Sequence, residues 1–113
     1  MNKRKTGAVY EEKAAAYLKE KGYRILEKNY RCPLGEIDLI AEESGYLVFI
    51  EVKYRRTLRL GTGEEAVNTK KQRRILGAAR WYLMEHGMCP CRFDVAAING
   101  TEITLVRNAF ECR

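Results

Sequence analysis

GEIDLIAEESGYLVFIEVKYR, residues 35–55, is the stretch whose reading decides the fold. Two apolar runs, residues 37–41 and 46–52, flank Ser44-Gly45 and read as buried strands joined by a tight hairpin turn. Each run carries charge where core is expected: Asp38 in the first, Glu51 and Lys53 in the second. Side chains alternate along a strand, so Glu51 and Lys53 share one face while Val48, Ile50 and Val52 take the other. A two-residue loop pairs Glu43 with Tyr46, and the same register sets Asp38 opposite Glu51. Facing residues lie roughly 4.5–5.5 Å apart at Cβ, and like charges placed so destabilise the sheet. A positive group between them removes the conflict. A hard divalent cation such as Mg²⁺ is the natural choice, with Lys53 close by. A longer turn would undo this register.

On the N-terminal side, Cys32-Pro33-Leu34-Gly35 turns the chain, and residues 23–31 read as a strand of imperfect alternation. Before it, residues 7–21 read as a helix with an apolar stripe of Val9, Ala14, Tyr17 and Leu18, stopped by Gly22. Residues 1–6 form a basic lead-in. Glu11 falls in the first turn of that predicted helix, where the helix dipole favours a carboxylate. On the C-terminal side, residues 54–63 make a basic loop and residues 64–86 a longer helix. Ala66, Val67, Ile75, Ala78, Ala79, Tyr82 and Leu83 supply its buried side, and Gly87 ends it. Residues 92–98 and 101–106 read as a closing hairpin around Asn99-Gly100, and residues 108–113 show no pattern. A strand–helix–strand crossover through the long helix makes a parallel step, right-handed by general rule, between two antiparallel hairpins. The predicted fold is α/β: a mixed β-sheet flanked by helices.

The 113 residues form one predicted domain, 1–113, with 46% hydrophobic and 32% charged residues, the balance of an ordinary soluble globular protein. No apolar run approaches the ~20 residues of a membrane span. The basic start lacks the apolar core of a signal peptide, so a cytoplasmic location is expected, away from membranes. Cys32, Cys89, Cys91 and Cys112 lack the paired spacing of a structural zinc site and read as reduced thiols. The formal charge of +6 favours an acidic partner such as nucleic acid.

Two carboxylates from adjacent strands can bind Mg²⁺ or Mn²⁺ and leave positions open for water and a phosphate oxygen. Such a metal activates its bound water and stabilises charge developing on phosphorus. Lys53 on the same face could orient the attacking water or neutralise the phosphate. The structural alternative is a cross-strand salt-bridge cluster in which Lys53 neutralises Glu51 or Asp38. Arg55, Arg56 and Arg59 follow the acids, and Lys70, Lys71, Arg73 and Arg74 crowd the start of the long helix. Such residues contact phosphates without reading sequence, although many basic helix faces are merely solvated.

GEIDLIA and VFIEVKYR, with Glu11 before them and Glu65-Ala66-Val67, Lys71-Gln72-Arg73-Arg74 and Arg92-Phe93-Asp94-Val95-Ala96 after, resemble the YraN family of uncharacterised bacterial proteins. That pattern is similar in turn to the restriction-endonuclease-like, PD-(D/E)XK superfamily, and especially to archaeal Holliday-junction resolvases. The resemblance implies a restriction-endonuclease-like core in the order αβββαβ. It implies Asp38, Glu51 and Lys53 as catalytic residues, with Glu11 joining Asp38 and Glu51 as a metal ligand, against the helix-dipole reading above. Glu36 matches the acid of the family motif, with no role implied. Lys71 and Gln72 match positions where some members keep a polar residue near the site. Ile37 stands where the superfamily motif has proline, and Tyr10 where family members often have glycine. A resolvase-like homodimer would set two sites against two DNA strands.

Two readings of function follow. The first is a Mg²⁺- or Mn²⁺-dependent endonuclease-like protein hydrolysing phosphodiesters in branched or structured DNA. The alternative is a non-catalytic nucleic-acid-binding accessory protein in which the acids and Lys53 are structural; beside these two stands a partner-binding module for RNA or a ribonucleoprotein.

Overall fold

The computed structural model describes residues 3–55 and 69–110. Within them the chain runs α1 (Lys3–Glu20), β1 (Arg24–Cys32), β2 (Gly35–Glu43), β3 (Tyr46–Arg55), α2 (Thr69–His86), β4 (Cys91–Asn99) and β5 (Glu102–Phe110). The five strands form one sheet in the order β1-β2-β3-β4-β5. All neighbours are antiparallel except β3 and β4, which run parallel and are joined through α2. This is the mixed α/β architecture expected. Among the described residues, no helix is long and apolar enough to cross a membrane.

The central hairpin has the predicted register. Ser44 and Gly45 take φ of 52° and 82°, the two left-handed residues of a loop whose twist matches its strands. Glu43 pairs with Tyr46, and the ladder continues to Leu39 opposite Ile50. There it stops, one step short of Asp38 and Glu51. Asp38 Oδ2 accepts the Val52 N–H at 2.8 Å, so a side chain takes the donor that a further rung would use.

Alternation on β3 divides the core between two faces. Leu47 and Phe49 join Ile75, Ala78, Ala79, Tyr82 and Leu83 of α2, while Val48 and Ile50 join Ala14, Ala15 and Leu18 of α1. The sheet therefore lies between the helices. Ile37 belongs to the α2 side and Leu39 to the α1 side, so the usual two-residue period breaks at Asp38. Across β1 the paired residues likewise pass from Lys28–Leu39 to Tyr30–Ile37, and the intervening Asn29 is left-handed at φ 54°.

Several details differ from expectation or refine it. α1 begins at Lys3 rather than at residue 7, which places Glu11 in mid-helix and removes the helix-dipole account of it. Val9, expected in the apolar stripe, is exposed, because Ala14, Ala15 and Leu18 set the buried face. The imperfect alternation of β1 is a register shift between Ile25 and Glu27. Asn99 pairs with Glu102, so the second hairpin turns on Gly100-Thr101, and β5 continues through Asn108 to Phe110. Residues 64–68 of the predicted long helix and most of the basic loop lie outside the described residues.

A polar knot fastens β3's neighbours at the end of the sheet near the hairpin turn. Asp94 is fully buried. It accepts Nε and Nη2 of Arg92, both at 2.9 Å, the Tyr23 hydroxyl at 2.7 Å and the Asn108 N–H at 2.9 Å. Arg92 Nη2 also reaches Glu43 at 2.8 Å. Asn108 is left-handed at φ 52°, and the β4–β5 register shifts around Asp94. The carboxylate thus satisfies a backbone donor that the bulge removes from the ladder.

Gly35 is buried at the start of β2 against the backbone of α2: a Cβ built there would stand 2.3 Å from the Arg74 carbonyl oxygen. Leu34 meets α2 at Gly77, where an added Cβ would approach Leu34 Cβ at 3.1 Å. The glycine of GEID is therefore a packing requirement as well as a turn residue. Gly35→Ala is expected to cost about 1–3 kcal/mol through overpacking, because the obstacle is main chain and α2 must move. Urea denaturation measures it; an unchanged midpoint would refute the close approach.

Candidate functional site

Glu51 projects from the middle of β3 toward the N-terminal part of α2 and is only 6% exposed. Glu36, Asp38, Glu51, Lys71, Arg74 and Ile75 line a recess of about 60 Å³ between the sheet and that helix. β2 and β3 supply the acids because their hairpin register brings positions 38 and 51 to adjacent places. α2 supplies the cations because Ile75, Ala78 and Ala79 anchor the same helix in the core. Since β2 starts at Gly35, Glu36 comes to the recess beside Asp38.

The two carboxyl groups are hydrogen-bonded to each other. Burial first, and then the hydrogen bond and charge of Glu51, push the Asp38 carboxyl from 3.8 up to about 8; the Val52 N–H and Lys71 pull the other way. Asp38 therefore holds its proton well above the usual aspartate range. Lys71 forms an ion pair with Glu51 Oε2, an atom that lacks a well-directed hydrogen bond. The charge is partly met while the lone pairs are not.

Glu11 approaches from α1. Burial, followed by the charge of Asp38, raises its carboxyl from 4.5 to about 7, against a hydrogen bond from Asn29. Its Oε1 is buried without a hydrogen-bond partner among the described residues. Asn29, which the sequence pattern did not single out, is placed for this contact by its left-handed backbone. An asparagine within a strand of imperfect alternation was the available signal.

Of the predicted site residues, Asp38, Glu51, Lys71 and Arg74 come together in the recess, joined by Glu36, for which no role was expected, and Glu11 lies within electrostatic reach. Lys53 is half-buried on β3, does not line the recess and pairs with no carboxylate among the described residues. The structural alternative had Lys53 neutralising Glu51 or Asp38; the cation paired with Glu51 is instead Lys71 of α2. Lys70 and Arg73 are exposed on α2, and Gln72 is half-buried outside the recess. The Arg55 side chain, Arg56 and Arg59 lie outside the described residues.

The donor set suits a hard divalent cation. Asp38 and Glu51 line the same recess, where a cation between their oxygens would neutralise both. Among the described residues, no three acidic, histidine or cysteine side chains stand close enough to hold an ion unaided. Mg²⁺ does not need three, since it commonly binds through one or two carboxylates and keeps its waters.

Both raised carboxyls bear on stability. A folded-state pKa above the unfolded value means that the native protein holds protons the unfolded chain has lost. The resulting stabilisation is complete below the ordinary values of 3.8 and 4.5 and is lost as pH rises through about 7 and about 8. In chelator, the thermal midpoint contribution of this cluster is therefore expected to fall from pH 5 to pH 8.5. Glu51→Gln should flatten that fall, and identical profiles for the two proteins would refute the coupling.

The model of "Uncharacterised protein family UPF0102" matches residues 10–98, which contain the recess and the Arg92–Asp94 knot. A UPF0102 protein of Lachnoclostridium phytofermentans is 52% identical over 114 residues, covering 98% of this chain and 97% of the relative. A UPF0102 protein of Caldicellulosiruptor saccharolyticus is 42% identical over 118 residues, covering 97% and 100%. One from Moorella thermoacetica is 47% identical over 100 residues, covering 87% and 83%. With a family model spanning most of the chain and full-length relatives at this identity, the protein belongs to the uncharacterised protein family UPF0102.

Proposed function

We propose that this protein is a metal-dependent endonuclease-like phosphodiesterase acting on DNA, with branched or structured DNA as the preferred class, built on a restriction-endonuclease-like core. The observation that carries the reading is the hydrogen-bonded Asp38–Glu51 pair in a buried recess. Two carboxylates held together at this depth are costly unless a proton or a cation joins them. Asp38 and Glu51 would hold Mg²⁺ or Mn²⁺, with Glu11 supplying further negative charge from α1. When bound, the metal would supply an activated water and stabilise charge on the phosphate. Lys53, two residues beyond Glu51 on the same strand, would orient that water or neutralise the phosphate. Lys71 would hold Glu51 in position, and Lys70 and Arg73 would meet backbone phosphates.

The Lys71–Glu51 ion pair favours the second reading, a nucleic-acid-binding accessory protein whose acids are structural, because it partly neutralises Glu51 without a metal. Cleavage of single-stranded, duplex, flapped, four-way and RNA substrates in Mg²⁺, Mn²⁺ or chelator separates the two. Metal-dependent cutting of DNA supports the nuclease. Salt-sensitive binding without cutting under any condition overturns it in favour of the accessory role.

A further inference from the structure

Beside the acidic recess lies a larger one, about 270 Å³, lined by Arg31, Cys32, Pro33, Leu34, Gly35, Glu36 and Arg74. The two recesses share Glu36 and Arg74 and are therefore contiguous. Their electrostatics are opposed: one is built around Asp38 and Glu51, the other is flanked by two guanidinium groups. We infer that this second recess is a phosphate subsite, holding through Arg31 and Arg74 the backbone phosphate next to the one presented to the acids.

Three observations carry it. Arg74 makes no ion pair with a carboxylate among the described residues, although it stands between the two recesses. Its main chain is pinned against Gly35, so the origin of its side chain is fixed relative to the start of β2. Arg31 is steered by Glu36, whose Oε2 lies 3.4 Å from Arg31 Nε, leaving the terminal nitrogens for another acceptor. A guanidinium presents several donors in a planar fork that fits phosphate oxygens, and two of them lining one recess suit one phosphate with its sugar. Glu36, without a role from sequence, lines both recesses and pairs with Arg31 at their junction.

The inference rests on the nucleic-acid reading of the acidic recess but not on catalysis, and its test uses binding alone. A labelled single strand and a four-way DNA junction are titrated in chelator at several salt concentrations with wild type, Arg31→Gln, Arg74→Gln and the control Arg24→Gln. Arg24 is an exposed cation on the same strand, already paired with Glu42. One lost phosphate contact lowers the slope of log K against log salt by about 0.7 for a single strand and about 0.9 for a duplex. Arg31→Gln and Arg74→Gln are each expected to show that loss, with thermal midpoints unchanged, while Arg24→Gln keeps the wild-type slope. Slopes equal across all four proteins would overturn the subsite while leaving the nuclease reading intact. Absence of salt-dependent binding by wild type would overturn the subsite and the nucleic-acid reading together. Binding with the expected slopes but no cleavage in metal would retain the subsite and remove only the nuclease.

Discussion

Asp94→Asn is expected to destabilise the protein by about 3–5 kcal/mol, the range for breaking a buried ion pair by removing one partner. Four donors converge on this carboxylate: two nitrogens of Arg92, the Tyr23 hydroxyl and the Asn108 N–H. An amide of the same shape has one acceptor oxygen and turns an NH₂ toward the remaining donors. Arg92 would keep Glu43, which is why the loss should stay below complete unfolding. Domains of this size have total stabilities of about 5–15 kcal/mol, so the variant should be close to the edge at physiological temperature. Chemical denaturation with two probes gives the value. A loss below ~1 kcal/mol would mean that the knot is dispensable and that the bulge in β5 finds its own partner.

Glu51→Gln should do the reverse: eliminate the proposed activity and leave the fold nearly untouched. Mutating groups that merely support metal ligands costs about 10–100-fold in affinity or activity, and loss of a direct ligand should exceed that. Gln remains isosteric and keeps a carbonyl oxygen for Asp38 to hydrogen-bond. It also removes the Glu51 charge, which adds to burial and the hydrogen bond in raising Asp38. In chelator the variant is therefore expected within about 1 kcal/mol of wild type, with a partly exposed Lys71 losing its partner at small cost. Cleavage assays with identically purified proteins, paired with thermal melts, read both halves. Undiminished cutting would remove Glu51 from the site; a large loss of stability would assign the pair a structural role.

The central hairpin was legible because one loop of two residues determines every pairing in it, and strand alternation then determines which faces are charged. Asp38 and Glu51 followed from that arithmetic. What the pattern could not convey was the position of the backbone just beyond the last rung. Asp38 spends one oxygen on the Val52 N–H, a side-chain choice with no periodic signature. Lys71 and Arg74 were visible as basic residues, but their common aim into the recess depends on how α2 rotates on the sheet. The close approach of the α2 backbone to Gly35 is part of that packing, and it is invisible in a reading that treats glycine as punctuation. Glu11 was misplaced relative to its helix because a charged lead-in, Lys3-Arg4-Lys5, has no apolar stripe yet continues the same helix. Asp94 and Arg92 belonged to a resemblance motif; their joint burial required the fold.

Sheet neighbours here are sequence neighbours throughout, from β1 to β5. Chain-closure entropy therefore opposes assembly mainly once, at the passage from β3 through α2 to β4. That cost grows slowly with segment length, about 0.6 kcal/mol for each doubling. The first three strands, already bearing both acids, can zip as a local meander. Until β4 arrives, however, the apolar edge of β3 stays open to foreign strands. The kinetic hazard of this molecule thus sits at the strand that carries Glu51: the interval before the parallel partner docks is when misassembly competes with folding.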